Sequence, residues 1–428
     1  MADRPRVPNP QLRAVREREF QMSRQEFARL IVTTGAEMGE TVGCTSRLVA
    51  AWEDGEVQLP RAVYRRILTR LTGGRAPEAL GFRRPCTGAP PAVREPKDTA
   101  DHRDDGPAAE DGPALDLLPR RGAPGRIGTV EARALDHAVT TIYAHDHDHG
   151  SAALRRDAAR ALHTAYQWLK DGALTDKTGR RLRSATGHLA IAAGWLSYDS
   201  GRPADARTLY AEALAAARLA DDRALEGHAF GCLSLLARAS GRPREAVTAA
   251  QAAQHAVRTH GSPRMRALFT LREAGGWALL GDAPATDQAV VTAHRLYAQG
   301  PADADPGWLE FFTPAELAGL EALARADLGQ HERAAAGAEQ AVLLHGTAFA
   351  RNRALYTADI AVQHAVRNRP EPEAAAEAAG RLLTYLPEVR SDRLLQQLRN
   401  VESALQRHAA VPAVADWLEE YRTTAGAR

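Results

Sequence analysis

The sequence SGRPADA at residues 200–206 recurs forty positions later as SGRPREA at residues 240–246. Two further glycines, Gly281 and Gly329, continue the series toward the end of the chain. Each of the four glycines is followed by a small residue five positions later and by alanine twelve positions later. These residues are Ala206 and Ala213, Ala246 and Ala253, Thr286 and Ala293, and Ala334 and Ala341.

This spacing has a direct structural meaning. A glycine ends a helix readily because it adopts a positive φ without steric cost. Two small residues seven apart lie on one face of the next helix and let it approach the preceding helix closely. A single helix pair cannot bury its apolar face, so repetition predicts a stack of pairs. We therefore expect an all-α chain in which residues 127–428 form an α-solenoid; an irregular helical array is the alternative.

The glycine and alanine offsets resemble those of the tetratricopeptide repeat, and Trp277 near Gly281 adds to the resemblance. The period here exceeds the usual length of about 34 residues, so we expect longer helices. The helical pattern predicts a fifth pair at 348–368 and 371–386, and a capping segment at 390–424.

In tetratricopeptide repeats the first helix of each pair lines a concave groove. The resemblance implies groove positions that are largely apolar and aromatic, which favours an apolar small molecule, a peptide, a protein partner or a helical segment of the chain itself as effector. The groove residues implied are His188, Ile191, Trp195, Tyr198, His228, Leu235, Arg238, Leu268 and Leu271. The alternative is that Trp195 and Tyr198 belong to the core between repeats.

Residues 85–126 separate this region from the N-terminal part of the chain. They are rich in proline, glycine, aspartate and arginine, and such a composition buries too little apolar surface to offset the entropy of ordering. We predict a disordered linker there, with a separate domain over residues 1–84. Residues 1–85 contain 15 arginines and 10 acidic residues, a net charge of +5, while the remainder carries −3. A basic N-terminal unit followed by a mildly acidic C-terminal region favours a nucleic-acid partner for the N-terminal unit.

The N-terminal region shows clear helix-start signals. Ser23 followed by Glu26 forms a capping box, in which the serine hydroxyl and the glutamate side chain each satisfy a free backbone N–H. The helices expected here span residues 10–19, a segment starting after Ser23, Ser46–Glu53 capped by Thr45, and a segment led by Pro60.

The sequence TSRLVAAWEDGEVQLPRAVYRRI at 45–67 resembles the helix-turn-helix of the xenobiotic-response-element class, which shares the lambda-repressor fold. Trp52, Glu53 and Gly55 match the end of its recognition helix, and the whole arrangement resembles actinobacterial regulators with a tetratricopeptide body and a Leu-Gly-Phe motif, here at 80–82. The resemblance implies a cytoplasmic, nucleoid-associated transcriptional regulator that binds double-stranded DNA as a homodimer. A repeat-based protein–protein adaptor without specific DNA binding is the alternative.

One segment departs from the class. TTGAEMGETVGC at 33–44 lengthens the interval between the two helices, so it must extend the second helix or insert a loop. On the third helix, periodicity places Thr45, Val49 and Trp52 toward the core and Arg47 toward a DNA groove. A guanidinium can bind guanine through two hydrogen bonds, so Arg47 is the predicted base reader.

The other predicted DNA contacts either neighbour Arg47 on the third helix or are arginines placed for phosphates, which position the protein without reading sequence. The complete set is Arg24, Thr45, Ser46, Arg47, Ala50, Arg61 and Arg65. The alternative for each arginine is a solvated surface charge.

No catalytic or metal-binding constellation is found in the sequence, so we expect neither enzyme activity nor a cofactor nor a metal. His145, His147 and His149 alternate, but alternate positions do not share a helical face, and a polar helix end is favoured over a metal site. The cysteines Cys44, Cys86 and Cys232 lie too far apart for zinc spacing, and no run is apolar enough for a membrane span.

Overall fold

All the regular structure described in this protein is helical. The computed structural model describes residues 8–82, 117–118 and 127–426, except for 21, 39, 41, 56, 58–59, 61, 74, 150–153, 346–348, 388 and 390. Most of the predicted linker therefore lies outside the described residues. Contacts divide the chain into two units, Met1–Ala108 and Ala109–Arg428. Every helix in the described ranges is too short or too polar to cross a lipid bilayer.

The first unit contains four α-helices. They are α1 (Pro10–Ala14, continued by a π-helical turn Val15–Glu19), α2 (Arg24–Glu37), α3 (Ser46–Glu53) and α4 (Ala62–Leu71), followed by a 3₁₀ turn at Pro77–Leu80. The lengthened segment does both things that the sequence allowed, because it extends α2 to Glu37 and then forms a loop.

The two predicted capping residues, Ser23 and Thr45, are confirmed, whereas α4 begins at Ala62 and not at the predicted Pro60. The Ser23 N–H donates to the Glu26 carboxylate at 2.8 Å, and the Glu26 N–H donates to the Ser23 hydroxyl at 3.3 Å. The Thr45 hydroxyl accepts a hydrogen bond from the Leu48 N–H at 3.3 Å, and α3 has the predicted bounds. Thr45 itself is exposed, not buried as the helical wheel predicted, because a capping residue precedes the first turn.

The core of the first unit forms around Trp52, which is almost fully buried. Its ring lies 5.2 Å from Tyr64 and 6.3 Å from Phe82, with near-perpendicular geometry to the latter. The Tyr64 hydroxyl donates to the Gly43 carbonyl at 3.1 Å, which ties the loop before α3 to α4. These contacts hold α3 against the rest of the unit.

The second unit is a stack of antiparallel helix pairs. After α5 (Thr129–His149) and α6 (Leu154–Asp171), its helices are α7 (Asp176–Asp199), α8 (Pro203–Ala220), α9 (Arg223–Ala239), α10 (Pro243–Ala256), α11 (Pro263–Leu279), α12 (Ala283–Tyr297), α13 (Pro314–Asp327), α14 (His331–His345), α15 (Ala350–Val366), α16 (Pro372–Leu383), α17 (Asp392–Leu405) and α18 (Pro412–Gly426). The predicted fifth pair corresponds to α15 and α16, and α17 and α18 follow it as the expected end segment.

The repeat spacing has the structural role that the sequence predicted. Gly201, Gly241, Gly281 and Gly329 adopt φ values of +69°, +65°, +76° and +71°, the left-handed region that favours glycine. All eight small residues that follow them are buried where the second helix of a pair meets its neighbours. Without larger side chains between them, the paired helices approach closely.

The ends of the array meet. Arg351 on α15 contacts Asp146 near the end of α5, and the Arg393 guanidinium on α17 lies 3.5 Å from the Asp199 carboxylate at the end of α7. The first helices of the pairs therefore enclose an inner face that is bounded by both the early and the late helices of the unit.

Candidate functional site

The C-terminal end of α3 is fixed by a buried carboxylate. The Glu53 side chain has no solvent exposure and accepts hydrogen bonds from Arg16 Nε at 2.6 Å and Arg24 Nε at 2.7 Å. Burial acts to raise the pKa of Glu53, but the bonds from the two guanidinium groups outweigh it and hold the pKa below its usual range. The Asn9 N–H also donates to the Glu53 carbonyl at 2.8 Å. These contacts hold α3 at a fixed angle to α1 and α2.

The predicted DNA-contacting residues fall into different environments. Arg24 is engaged by Glu53 and by Asp54, whose carboxylate lies 3.3 Å from Arg24 Nη2. Arg65 is half-buried, and its Nε is buried without a hydrogen bond. Arg61 lies outside the described residues. Thr45 and Ser46 are exposed at the start of α3, and Ala50 is half-buried.

Arg47 differs from its neighbours because it is exposed and forms no ion pair or hydrogen bond with any described residue. By contrast, Arg13, Arg16 and Arg24 all contact Glu53. Arg47 near the start of α3 is therefore exposed, whereas the charge of Glu53 at the end of α3 is neutralised by Arg16 and Arg24 from α1 and α2. This pairing was missed at the sequence level, although an acidic residue beside the core residue Trp52 was an available signal.

On the inner face of the second unit, a charge cluster centres on Asp146. Its carboxylate accepts hydrogen bonds from Arg351 Nη1 at 2.6 Å and from the Trp195 indole N–H at 2.8 Å. Arg351 Nη1 also lies 3.7 Å from the Asp199 carboxylate. Asp146 belongs to the histidine-rich end of α5, for which the sequence favoured a polar helix terminus. The helix does end there, at His149, but Asp146 itself is buried rather than exposed to solvent.

Trp195 and Tyr198 stack with arginines from those late helices. The Arg393 guanidinium carbon lies 4.8 Å from the Tyr198 ring centre and 5.6 Å from the Trp195 ring centre, and Arg351 lies 5.3 Å from the latter. Such cation–π contacts are favourable where water is partly excluded. The two aromatic residues do line the inner face, but there they hold the ends of the array together.

A second set of carboxyl groups lies further along the inner face. Asn352 donates to the Glu316 carboxylate at 3.0 Å, and Arg238 Nε donates to Asp327 at 2.8 Å. Burial raises the pKa of Glu316 and of Asp327, and it raises the pKa of Asp359 to about 7. The Arg238 and Asp327 side chains remain 26% and 20% exposed, so solvent reaches this face.

Two histidines from consecutive repeats also come together there. The His188 and His228 rings are 6.5 Å apart, and His228 stacks on Trp308 with ring centres 3.6 Å apart. Burial lowers the pKa of both histidines, most strongly for His228, so both are neutral at physiological pH. Leu235 is half-buried.

The predicted apolar character of the groove is therefore incorrect in detail. Ile191, Leu268 and Leu271 are buried in the core, with exposed fractions of 1%, 1% and 2%. The face instead carries charged groups that the sequence analysis did not select: Asp146, Asp199, Arg272, Glu316, Asp327, Arg351, Asp359 and Arg393. No local signal marked them: Arg272 is one of several charged residues of α11, and the others depend on pairing between distant helices.

Comparison with known proteins identifies no family for this chain. No family model matches the chain, and no curated protein sequence matches it. Similar solved structures include a Rap protein complexed with competence and sporulation factor, at 12% identity and a TM-score of 0.46 over 69% of this chain and 79% of that one. A signal-transduction ATPase with a tetratricopeptide repeat sensor from Pyrococcus horikoshii matches at 13% identity and a TM-score of 0.40, over 69% and 45% of the two chains.

The tetratricopeptide domain of P58(IPK) matches at 13% identity and a TM-score of 0.19, over 69% of this chain and 95% of that one. The second and third of these structures are described as tetratricopeptide-repeat structures.

Proposed function

We propose that this protein is a sequence-specific DNA-binding transcriptional regulator whose repeat region mediates dimerisation and binds an effector or partner. The observation that carries the proposal is Arg47, an exposed guanidinium without a partner among the described residues, at the start of a helix that is fixed from behind by Glu53. A helix held in this way presents its N-terminal residues to a major groove.

The charges of the first unit support this role. Among its described arginines, Arg18, Arg29, Arg47 and Arg70 are exposed and unpaired, so they are available to phosphates or bases. Arg47 reads a base because its two terminal nitrogens match the acceptors of guanine, and the remaining arginines contribute salt-dependent affinity.

The test is selection of duplex sites from a random pool by the full chain, followed by affinity measurements at several salt concentrations. Wild type should select a defined site, and Arg47→Ala should lose preference at one base position, by about 1–3 kcal/mol. Arg18→Ala is the matched control, since it removes an equally exposed charge that lies outside α3. It should weaken all sequences alike and leave the selected site unchanged.

A folded chain that shows no salt-dependent binding to duplex DNA would refute the proposal and leave the adaptor function. In the proposed regulator, the inner face of the repeat unit receives the signal. An effector bound there changes DNA affinity through the way the two DNA-binding heads of a dimer are held, a coupling usually worth about 1–3 kcal/mol.

A further inference from the structure

Arg272 is an arginine of the inner face that has no hydrogen-bond or ion-pair partner among the described residues. It lies on α11, and its Nε and Nη1 are buried without a hydrogen bond, whereas Nη2 is not buried. No described carboxylate forms an ion pair with it, in contrast to Arg238, Arg351 and Arg393. Charged donors in such a place are normally paired, because leaving them unsatisfied costs more than an unpaired surface charge.

The surroundings of Arg272 bring other unpaired polar groups to the same region. Arg272 is close enough to His228 to lower the pKa of that histidine, and burial lowers the pKa of Arg272 itself. His228 stacks on Trp308, and both His228 Nδ1 and the Trp308 indole nitrogen are buried without a hydrogen bond. The indole and guanidinium groups are donors only, so the region is rich in donors that lack an acceptor.

We propose that the inner face of the repeat unit binds an organic carboxylate, with Arg272 gripping the carboxylate group and the stacked rings of His228 and Trp308 packing against the organic part. This inference rests on the proposed receptor role of the repeat unit and names the chemical class of its effector.

The charge balance selects a single carboxylate over a multiply charged anion. On the same face Asp199 and Asp327 are paired with arginines, whereas Glu316 acts electrostatically on Arg272. A phosphate group with two negative charges would be repelled more strongly by Glu316 than one planar carboxylate, which also matches the guanidinium fork. The carboxylate can belong to a small organic acid or to the C-terminus of a peptide.

The test is equilibrium dialysis of the full chain without DNA, read by mass spectrometry, in two arms. One arm compares benzoate and octanoate with benzamide and octanamide. The other compares a random tetrapeptide pool that has free C-termini with the same pool amidated. The wild-type protein should retain the carboxylate form at least tenfold better than the amide in one arm, and that arm identifies the source. Equal retention of acid and amide in both arms, or no retention in either, would overturn the inference.

Arg272→Met should abolish the preference for the carboxylate, and Arg266→Met is the matched control. Arg266 is half-buried on another face of the same helix, so its loss should leave retention unchanged. Arg272→Met should also leave the melting temperature equal or higher, because it replaces an unpaired buried charge with an apolar side chain. A purely structural arginine would give a lower melting temperature.

If Arg272→Met fails to fold, Arg272→Lys decides, since lysine keeps the charge and loses the two-pronged geometry. Retention should then fall at least threefold, and retention equal to wild type would contradict the assignment. The outcomes separate the two proposals. A chain that binds DNA but shows no carboxylate preference overturns only this inference, and a chain that retains carboxylates without binding DNA overturns only the proposed function.

Discussion

Arg351 and Asp146 form a buried hydrogen-bonded ion pair at 2.6 Å although they are 205 residues apart in the chain. The pair joins α15 to α5, and the Trp195 indole N–H donates a hydrogen bond to the other oxygen of the same carboxylate. A contact of this kind turns an open stack of helices into an array whose two ends constrain each other.

Removing one partner of this pair should destabilise the repeat unit strongly. Arg351→Met leaves Asp146 buried without its cation, so we expect the free energy of unfolding to fall by about 3–5 kcal/mol. The double variant with Asp146→Leu should recover much of this loss, because no unpaired charge then remains. Urea unfolding followed by circular dichroism measures both. Arg381→Met is the control, since its pair with Glu377 is exposed and should cost at most about 1 kcal/mol.

The same pair shows what the sequence could and could not predict. The roles of Gly201 and Ala206 can be predicted from the local sequence, because a positive φ and a close helix contact each require a particular small residue. Asp146 carries no such local signal. Its burial is decided by where α15 arrives after the intervening pairs have stacked, and small rotations between repeats accumulate over that distance.

The first unit shows the same division. The helix starts at Ser23 and Thr45 were predictable because capping depends on residues a few positions apart. The ion pair between Arg24 and Glu53 was not predictable, since it depends on the angle between α2 and α3. The resemblance to tetratricopeptide repeats implied an apolar groove, but Arg393 and Arg351, from later helices of the array, stack on the aromatic residues Trp195 and Tyr198.

Glu53→Gln should loosen α3. The amide cannot neutralise Arg16 and Arg24, both of which hydrogen-bond to the carboxylate of Glu53. We therefore expect the local stability of the first unit to fall by about 2–4 kcal/mol. Hydrogen exchange of peptides covering α2 and α3 in the full chain should accelerate accordingly. Glu26→Gln is the control, since this residue is exposed and glutamine can replace glutamate in the capping box. Equal protection in both variants would show that Glu53 does not anchor the helix.

The full chain should form a homodimer, while a fragment of residues 1–84 should be monomeric. The first unit has its own buried core around Trp52, so the fragment should retain its fold. The prediction rests on the proposed DNA-binding function, because DNA-binding proteins of the helix-turn-helix class commonly occupy paired half-sites. The stack of helix pairs offers the extended surface that pairing requires. Sedimentation equilibrium at micromolar concentration measures both species. A monomeric full chain would contradict the prediction and require a single half-site.

His345 should make the repeat unit sensitive to acid. Burial, with repulsion from Arg353, lowers its pKa to about 4 from an ordinary value of 6.5. Its ring lies 5.9 Å from the Tyr356 ring and 5.6 Å from the Phe349 ring, and its Nε2 is 3.8 Å from the Glu316 carboxyl, beyond hydrogen-bonding distance. As the pH falls below 6.5, His345 becomes protonated in the unfolded chain, but in the folded chain it becomes protonated only near pH 4. The free energy of unfolding therefore decreases as the pH falls from 6.5 to about 4.

Between pH 7 and pH 4.5, His345 should therefore cost the wild-type repeat unit about 2 kcal/mol of unfolding free energy that His345→Phe does not lose. Urea unfolding at the two pH values measures the difference, and other carboxyl groups cancel in the comparison because both proteins contain them. Phenylalanine suits the site, since the side chain is almost fully buried between aromatic rings. The exposed His255→Phe variant should follow wild type at both pH values. If His345→Phe loses as much stability as wild type on acidification, the folded protein protonates His345 as readily as the unfolded chain, and burial is not what sets its charge.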